Sequence, residues 1–300
     1  MRIKGGQQKT WAHGGLAKPS GCRAPASNPG IPFTPVPPRR EDSVIQQYSF
    51  AKIAAIWAAA TLPMALLSWV VAPALAADPE HPGMERLAVM TVGLAWQFFL
   101  VVFLLYREGN GLRWSTIRRS LWLSRPRSPS TGSPQNLLWL LLLPLLALTA
   151  AYQFFGAPLV HDLWIRLFPF MAEPPGYSLA AYFENPDVGK QMEGAWGVLV
   201  LFSVSALLNT VIGEELLFRG LLLPRMNCVF GKWDWLTNGL LFGLYHLSQP
   251  WTILGSAILG AVFFAFPTKR YRCAWFGIIA HSGQSIFFLV LILGLVLGLA

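Results

Sequence analysis

The chain has 300 residues, 54% of them hydrophobic and only 12% charged, with a net charge of +9. Soluble domains carry about 25% charged residues, so an ordinary soluble protein is excluded. Several apolar runs reach the roughly 20 residues that cross a bilayer, and the reading is an all-α, polytopic transmembrane helix bundle.

In chain order, residues 1–47 are rich in Pro, Gly and Ser and hold seven basic residues; this composition predicts a disordered cytoplasmic arm. Spans are predicted at about 48–77, with Pro63 and Pro73 inside, and at 86–106. Residues 107–135 hold six basic residues; Leu112, Ile117, Leu121 and Trp122 interleave with arginines, as in a basic helix lying on the cytoplasmic leaflet or a basic loop with interfacial tryptophans. Five more spans follow at 136–156, 194–218, 235–250, 252–267 and 274–298, about seven in all. The pair 235–250 and 252–267 is short enough to be re-entrant. The chain thus divides into the arm 1–47, two helices with a basic segment at 48–135, and a core at 136–300.

Basic and acidic connections alternate. Segments 1–47, 107–135, 219–233 and 267–272, with Lys52, hold 20 of the 23 Lys and Arg, whereas 157–193 holds two, against five acidic residues. The positive-inside rule puts the N-terminus in the cytoplasm and the C-terminus outside, in the plasma (inner) membrane. This distribution accounts for the basic charge without any nucleic-acid partner. Cys22, Cys228 and Cys273 show no metal spacing and read as free thiols. The adjacent His161 and Asp162 read as a solvated pair in the outside connection.

The fourth span ends in GEELLFRG, Gly213 to Gly220. Buried at full depth, two glutamates and an arginine would cost on the order of 8 kcal/mol. Glu215 and Arg219 are four residues apart in the favourable acid-first order, so they can pair along one face. Glu214 is turned about 100° away, with Phe218 four residues on. A charge cluster where a helix leaves the membrane is the simplest account of these three residues. Two further features favour chemistry. Phe242 and His246 are four apart in the next span, and His281 and Ser285 are four apart in the last. Polar residues within spans face the bundle interior, so Glu214, Glu215, His246 and His281 can share one cavity.

Carboxylate plus imidazole can activate water; two histidines and two glutamates can also hold a zinc ion. HExxH, paired Glu-x-x-His and G-x-S-x-G motifs are absent, which excludes a zincin helix, a di-iron bundle and a serine elbow.

The order EExxxR, FxxxH, HxxxS resembles the CPBP family of intramembrane proteases, also called CAAX-protease, bacteriocin-processing or ABI proteins. The match covers about 194–290, with AILGAVFFAFPTKRYRCAWFGIIAH similar to the family's apolar segment, basic turn and lead-in to histidine. Ser285 departs from the pattern, which usually has Asn there. The resemblance implies an endopeptidase in which Glu214 activates water, assisted by His246. His281 and Ser285 would stabilise the oxyanion, and Glu215, Arg219 and Phe242 would support the site. The expected cofactor is none or a single divalent metal, zinc being possible, with Glu214, His246 and His281 as candidate ligands. The expected partners are the bilayer and a membrane protein or peptide substrate. The sequence leaves the oligomeric state open. Cleavage near the cytoplasmic face, from a cavity opening there, suits the basic inner surface. The alternatives are an inactive relative acting as scaffold or immunity protein, and a transporter with a Glu214–His246 proton relay.

Overall fold

The computed structural model describes residues 45–77, 82–109, 113–178, 190 and 192–299. The expected arm therefore falls, up to residue 44, outside the described residues. Eight helical elements organise the rest. They are α1 (Phe50–Leu75), α2 (Gly83–Arg107), α3 (Trp114–Ser120), α4 (Asn136–Leu167), α5 (Trp196–Arg225), α6 (Asp234–Tyr245), α7 (Pro250–Tyr271) and α8 (Trp275–Val296). All but α3 and α6 are long and apolar enough to cross a membrane. The molecule is an all-α, multi-pass integral membrane bundle. Its outer surface is hydrophobic: Val92, Phe99, Leu143, Phe155, Val200 and Val290 are all exposed. A surface of this kind is stable against lipid and would associate in water.

The expected fifth span, 235–250, is α6; its 12 residues rise about 18 Å, and the short helical turns Gly231–Trp233 and His246–Ser248 at its two ends extend it toward the 30 Å of a hydrocarbon core. At His246 the chain leaves α-geometry and turns through 246–252 into α7. The two helices pack closely because Gly239 and Gly243 on α6 face Ala261 and Ala257 on α7. A Cβ on Gly239 would lie 2.3 Å from the Ala261 nitrogen, and one on Gly243 would lie 2.5 Å from the Ala257 Cβ. Small residues spaced by four let helix backbones approach in lipid.

Five π-helical turns widen the spans, at 67–71, 152–156, 208–213, 216–222 and 259–265. Four have one cause. Pro73, Pro158, Pro224 and Pro267 each follow such a turn within two residues. A proline lacks the N–H for the residue four back and pushes against that carbonyl. The carbonyls concerned, at 69, 154, 220 and 263, lie inside the widened turns, which relieve the clash. The turn at 208–213 has no such proline and adjoins Glu214.

One buried clamp joins the basic connections to α5. Arg225 donates to both oxygens of Glu108, at 2.6 and 2.7 Å, and to Ser120 O, Ser120 Oγ and Leu221 O. Tyr48 Oη donates to Glu108 at 2.6 Å, and the Tyr48 N–H to Arg225 O at 3.0 Å. Burial raises the Glu108 carboxyl, but the hydrogen bonds and charge of Arg225 and the bond from Tyr48 outweigh it, holding it below the usual range. The 107–135 segment is consequently tied to the bundle. Beyond the end of α2, its described residues are α-helical only at Trp114–Ser120, and Leu121 and Leu123 are buried in the core, so this is no free helix on the leaflet.

Two smaller expectations change. The third span continues to Leu167, so His161 and Asp162 lie on a helix instead of in a loop. Cys273 is a free thiol as read, but Cys228 is disulfide-bonded.

Candidate active site

The charges of GEELLFRG separate as their spacing predicts. Arg219 Nη1 donates to Glu215 Oε1 at 2.9 Å, and both side chains are 0% exposed. The guanidinium also donates to Gly260 O at 3.3 Å and lies 4.0 Å from the Phe242 ring centroid and 5.1 Å from that of Phe264. Cation–π contact with those rings takes the place of water around the charge. Glu215 reaches further than the sequence indicated. Its Oε1 also meets His281 Nδ1 at 3.1 Å, so one carboxylate fixes both the arginine and the histidine. Gly277 makes room for this: a Cβ there would lie 2.7 Å from Glu215 Oε2.

His246 is held differently. Its Nδ1 lies 2.8 Å from the Phe242 carbonyl. A carbonyl only accepts, so Nδ1 carries the proton and Nε2 of the neutral ring is an acceptor. Phe242 stands edge-on to both imidazoles, with centroids 4.9 Å from His246 and 6.1 Å from His281. It therefore packs against both histidines.

Glu214, Phe242, His246, His281 and Ser285 line one cavity of about 300 Å³. Glu215 and Arg219 stand behind its wall. The structure thus brings all seven sequence-derived residues into one locality, five on the cavity and two in support.

Three residues were missed. Asn209 lines the cavity and, with its amide nitrogen turned to the carboxylate, donates to both Glu214 oxygens at 2.8 and 3.0 Å. The opposite amide orientation would set oxygen against oxygen. A five-residue separation does not put two side chains on one face of an α-helix; the widened turn 208–213 does. Gly213 permits that turn, since a Cβ there would sit 2.3 Å from Leu208 O. The second missed residue is Tyr245, whose hydroxyl interacts with Glu214, and the third is Gln97, whose Nε2 donates to the Tyr245 oxygen at 2.6 Å. The only signal for Asn209 and Gln97 was a lone amide within an apolar run.

Among the described residues no three His, Cys, Asp or Glu side chains form a group that could hold a metal ion. Glu214, His246 and His281 share the cavity without converging as such a group.

The family model for type II CAAX prenyl endopeptidase Rce1-like proteins matches residues 195–287. That segment contains all seven residues, and over it the resemblance to the CAAX-type intramembrane proteases is shown. Neither curated proteins nor solved structures gave a significant match.

Proposed function

We propose that this chain is an intramembrane endopeptidase in which Glu214 activates a water molecule against a peptide bond. One observation carries the reading. Of two adjacent buried glutamates, Glu215 is committed to Arg219 and His281, while Glu214 faces the cavity and, among the described residues, is met by the neutral donors Asn209 and Tyr245. A carboxylate that is oriented but carries no fixed cation partner is free to accept a proton.

In the proposed reaction Glu214 takes a proton from water, with His246 Nε2 accepting the water's second hydrogen bond. The hydroxide attacks the peptide carbonyl. The oxyanion is met by the Ser285 hydroxyl and by His281 Nε2–H when that ring carries both protons. Glu214 then returns its proton to the departing amine, which breaks the C–N bond and regenerates the carboxylate. We further propose that the basic connections face the cytoplasm, with the N-terminus inside and the C-terminus outside the plasma membrane. The family description names prenylated substrates, but no residue singled out above is specific for a prenyl chain.

The test compares terminal peptides of the host's membrane and secreted proteins between wild type and Glu214→Gln at matched levels. Peptide ends lost only in the variant would establish hydrolysis and name the substrate. Ends unchanged in a strain lacking the whole chain would contradict it, and would favour the scaffold reading.

A further inference from the structure

α2 lies outside the segment that the family model matches, yet one of its side chains reaches the candidate site. Gln97 is the lone amide in the apolar run TVGLAWQFFLVVFLL, residues 91–105. It is fully buried. Among the described residues its side chain makes one hydrogen bond, from Nε2 to the Tyr245 oxygen at 2.6 Å, and its Oε1 has no partner. Buried polar groups are seldom left unpaired, and an apolar side chain of similar size would avoid the cost. Packing alone therefore gives no reason for a glutamine at this position.

Counting protons supplies one. A carboxylate accepts and does not donate, so the hydrogen bond between Tyr245 and Glu214 uses the single hydroxyl proton. The hydroxyl oxygen is then left as an acceptor, and Gln97 must turn its NH2 group toward it. The opposite amide orientation would draw the proton to Oε1 and away from Glu214. The Tyr245 ring is packed in place: the Phe218 and His246 centroids lie 5.3 and 5.1 Å away, and Phe242 is stacked at 6.1 Å. A carboxylate has about four acceptor sites, of which Asn209 meets two and Tyr245 a third, leaving about one for water.

We propose that Gln97 is a positioning residue that commits the Tyr245 hydroxyl proton to Glu214, and that Tyr245 is thereby a catalytic residue holding the base in line with its water. The purpose of this device rests on the hydrolase reading; the direction of the bonds does not. It gives Glu214 a further donor without a cation, whereas Glu215 has its charge paired with Arg219.

Three variants of the full chain in detergent test the proposal: Gln97→Met, Tyr245→Phe and the two combined. Turnover is read on an internally quenched peptide spanning a bond whose cleavage Glu214→Gln abolishes. Tyr245→Phe keeps the ring and should lower kcat about tenfold at unchanged KM. Gln97→Met should lower kcat about threefold or more, and should add nothing in the Tyr245→Phe background, because the amide acts only through the hydroxyl. Its melting temperature should stay level or rise, since the unpaired Oε1 is gone. A lower melting temperature with unchanged turnover would make Gln97 a packing contact between helices and overturn the proposal. Independent, multiplying losses in the combined variant would do the same.

A spectroscopic readout needs no substrate. The tyrosine Raman doublet distinguishes a hydroxyl that donates from one that accepts. Subtracting the matching Tyr245→Phe spectrum isolates this residue among the seven tyrosines. In Gln97→Met the signal should move toward the pure donor pattern, because the received bond is lost and the bond to Glu214 stays. A move away from that pattern would show that the proton had gone to Gln97; that result, or no move at all, overturns the proposal. If the donor shift is seen but no Glu214-dependent cleavage exists, the hydrolase reading falls and the directed hydroxyl stands.

Discussion

Two buried carboxylate–arginine pairs lie about one and a half turns apart on α5, and they are built differently. At the basic end, Arg225 spends Nε and both Nη groups on Glu108, Ser120 and Leu221, while Tyr48 adds a donor to the carboxylate. Nearer the cavity, Glu215 Oε2 and Arg219 Nε have no hydrogen-bond partner among the described residues. Native proteins rarely leave buried polar groups unpaired, and the exceptions call for an explanation. The first pair closes the bundle. The second holds His281 and the guanidinium in place beside Glu214, the proposed base, and its incomplete bonding is the cost of that arrangement.

Breaking the second pair should have the larger effect on folding. Arg219→Ala leaves Glu215 buried and uncompensated, which typically costs about 3–5 kcal/mol. Thermal melting in detergent should fall sharply; an unchanged melting temperature would remove the supporting role. Glu108→Gln should cost less, about 2–3 kcal/mol, because the amide keeps one acceptor for Arg225. The clamp also predicts a pH dependence. Glu108 is held below its ordinary value, so its stabilisation is fully present above the unfolded pKa of about 4 and is lost as pH falls through the folded value. The wild-type melting temperature should therefore drop below pH 4 more steeply than that of Glu108→Gln. Parallel curves would contradict the assignment.

Effects confined to the cavity end should spare stability. Asn209→Ala removes the two bonds that orient Glu214, and should lower kcat about tenfold with little change in KM. A loss confined to KM would place Asn209 in substrate binding instead. Ser285→Asn should be the mildest, changing turnover by no more than about threefold, since both side chains can donate to an oxyanion. Complete loss would show that the site is shaped around the shorter side chain.

The contrast between the pairs also explains what was legible in the sequence. Glu215–Arg219 follows from four-residue spacing on a helix, and six of the seven expected spans follow from apolar length. Glu108–Arg225 joins residues 117 positions apart, which no local pattern reveals. Asn209 was invisible because it reaches Glu214 only through a π-helical turn that the α-helical period does not describe. The same sequence holds the prolines that explain the other four widened turns, but only the structure shows that the chain accommodates them by widening.

The central claim is a division of labour between adjacent glutamates, and it is tested most directly by measuring turnover and melting temperature together for Glu214→Gln and Glu215→Gln. The account predicts that Glu214→Gln loses about 10²–10⁴-fold in turnover at an unchanged melting temperature. Glu215→Gln should lower the melting temperature as well as the turnover. Retained turnover in Glu214→Gln, or a stable but inactive Glu215→Gln beside it, would contradict the assignment.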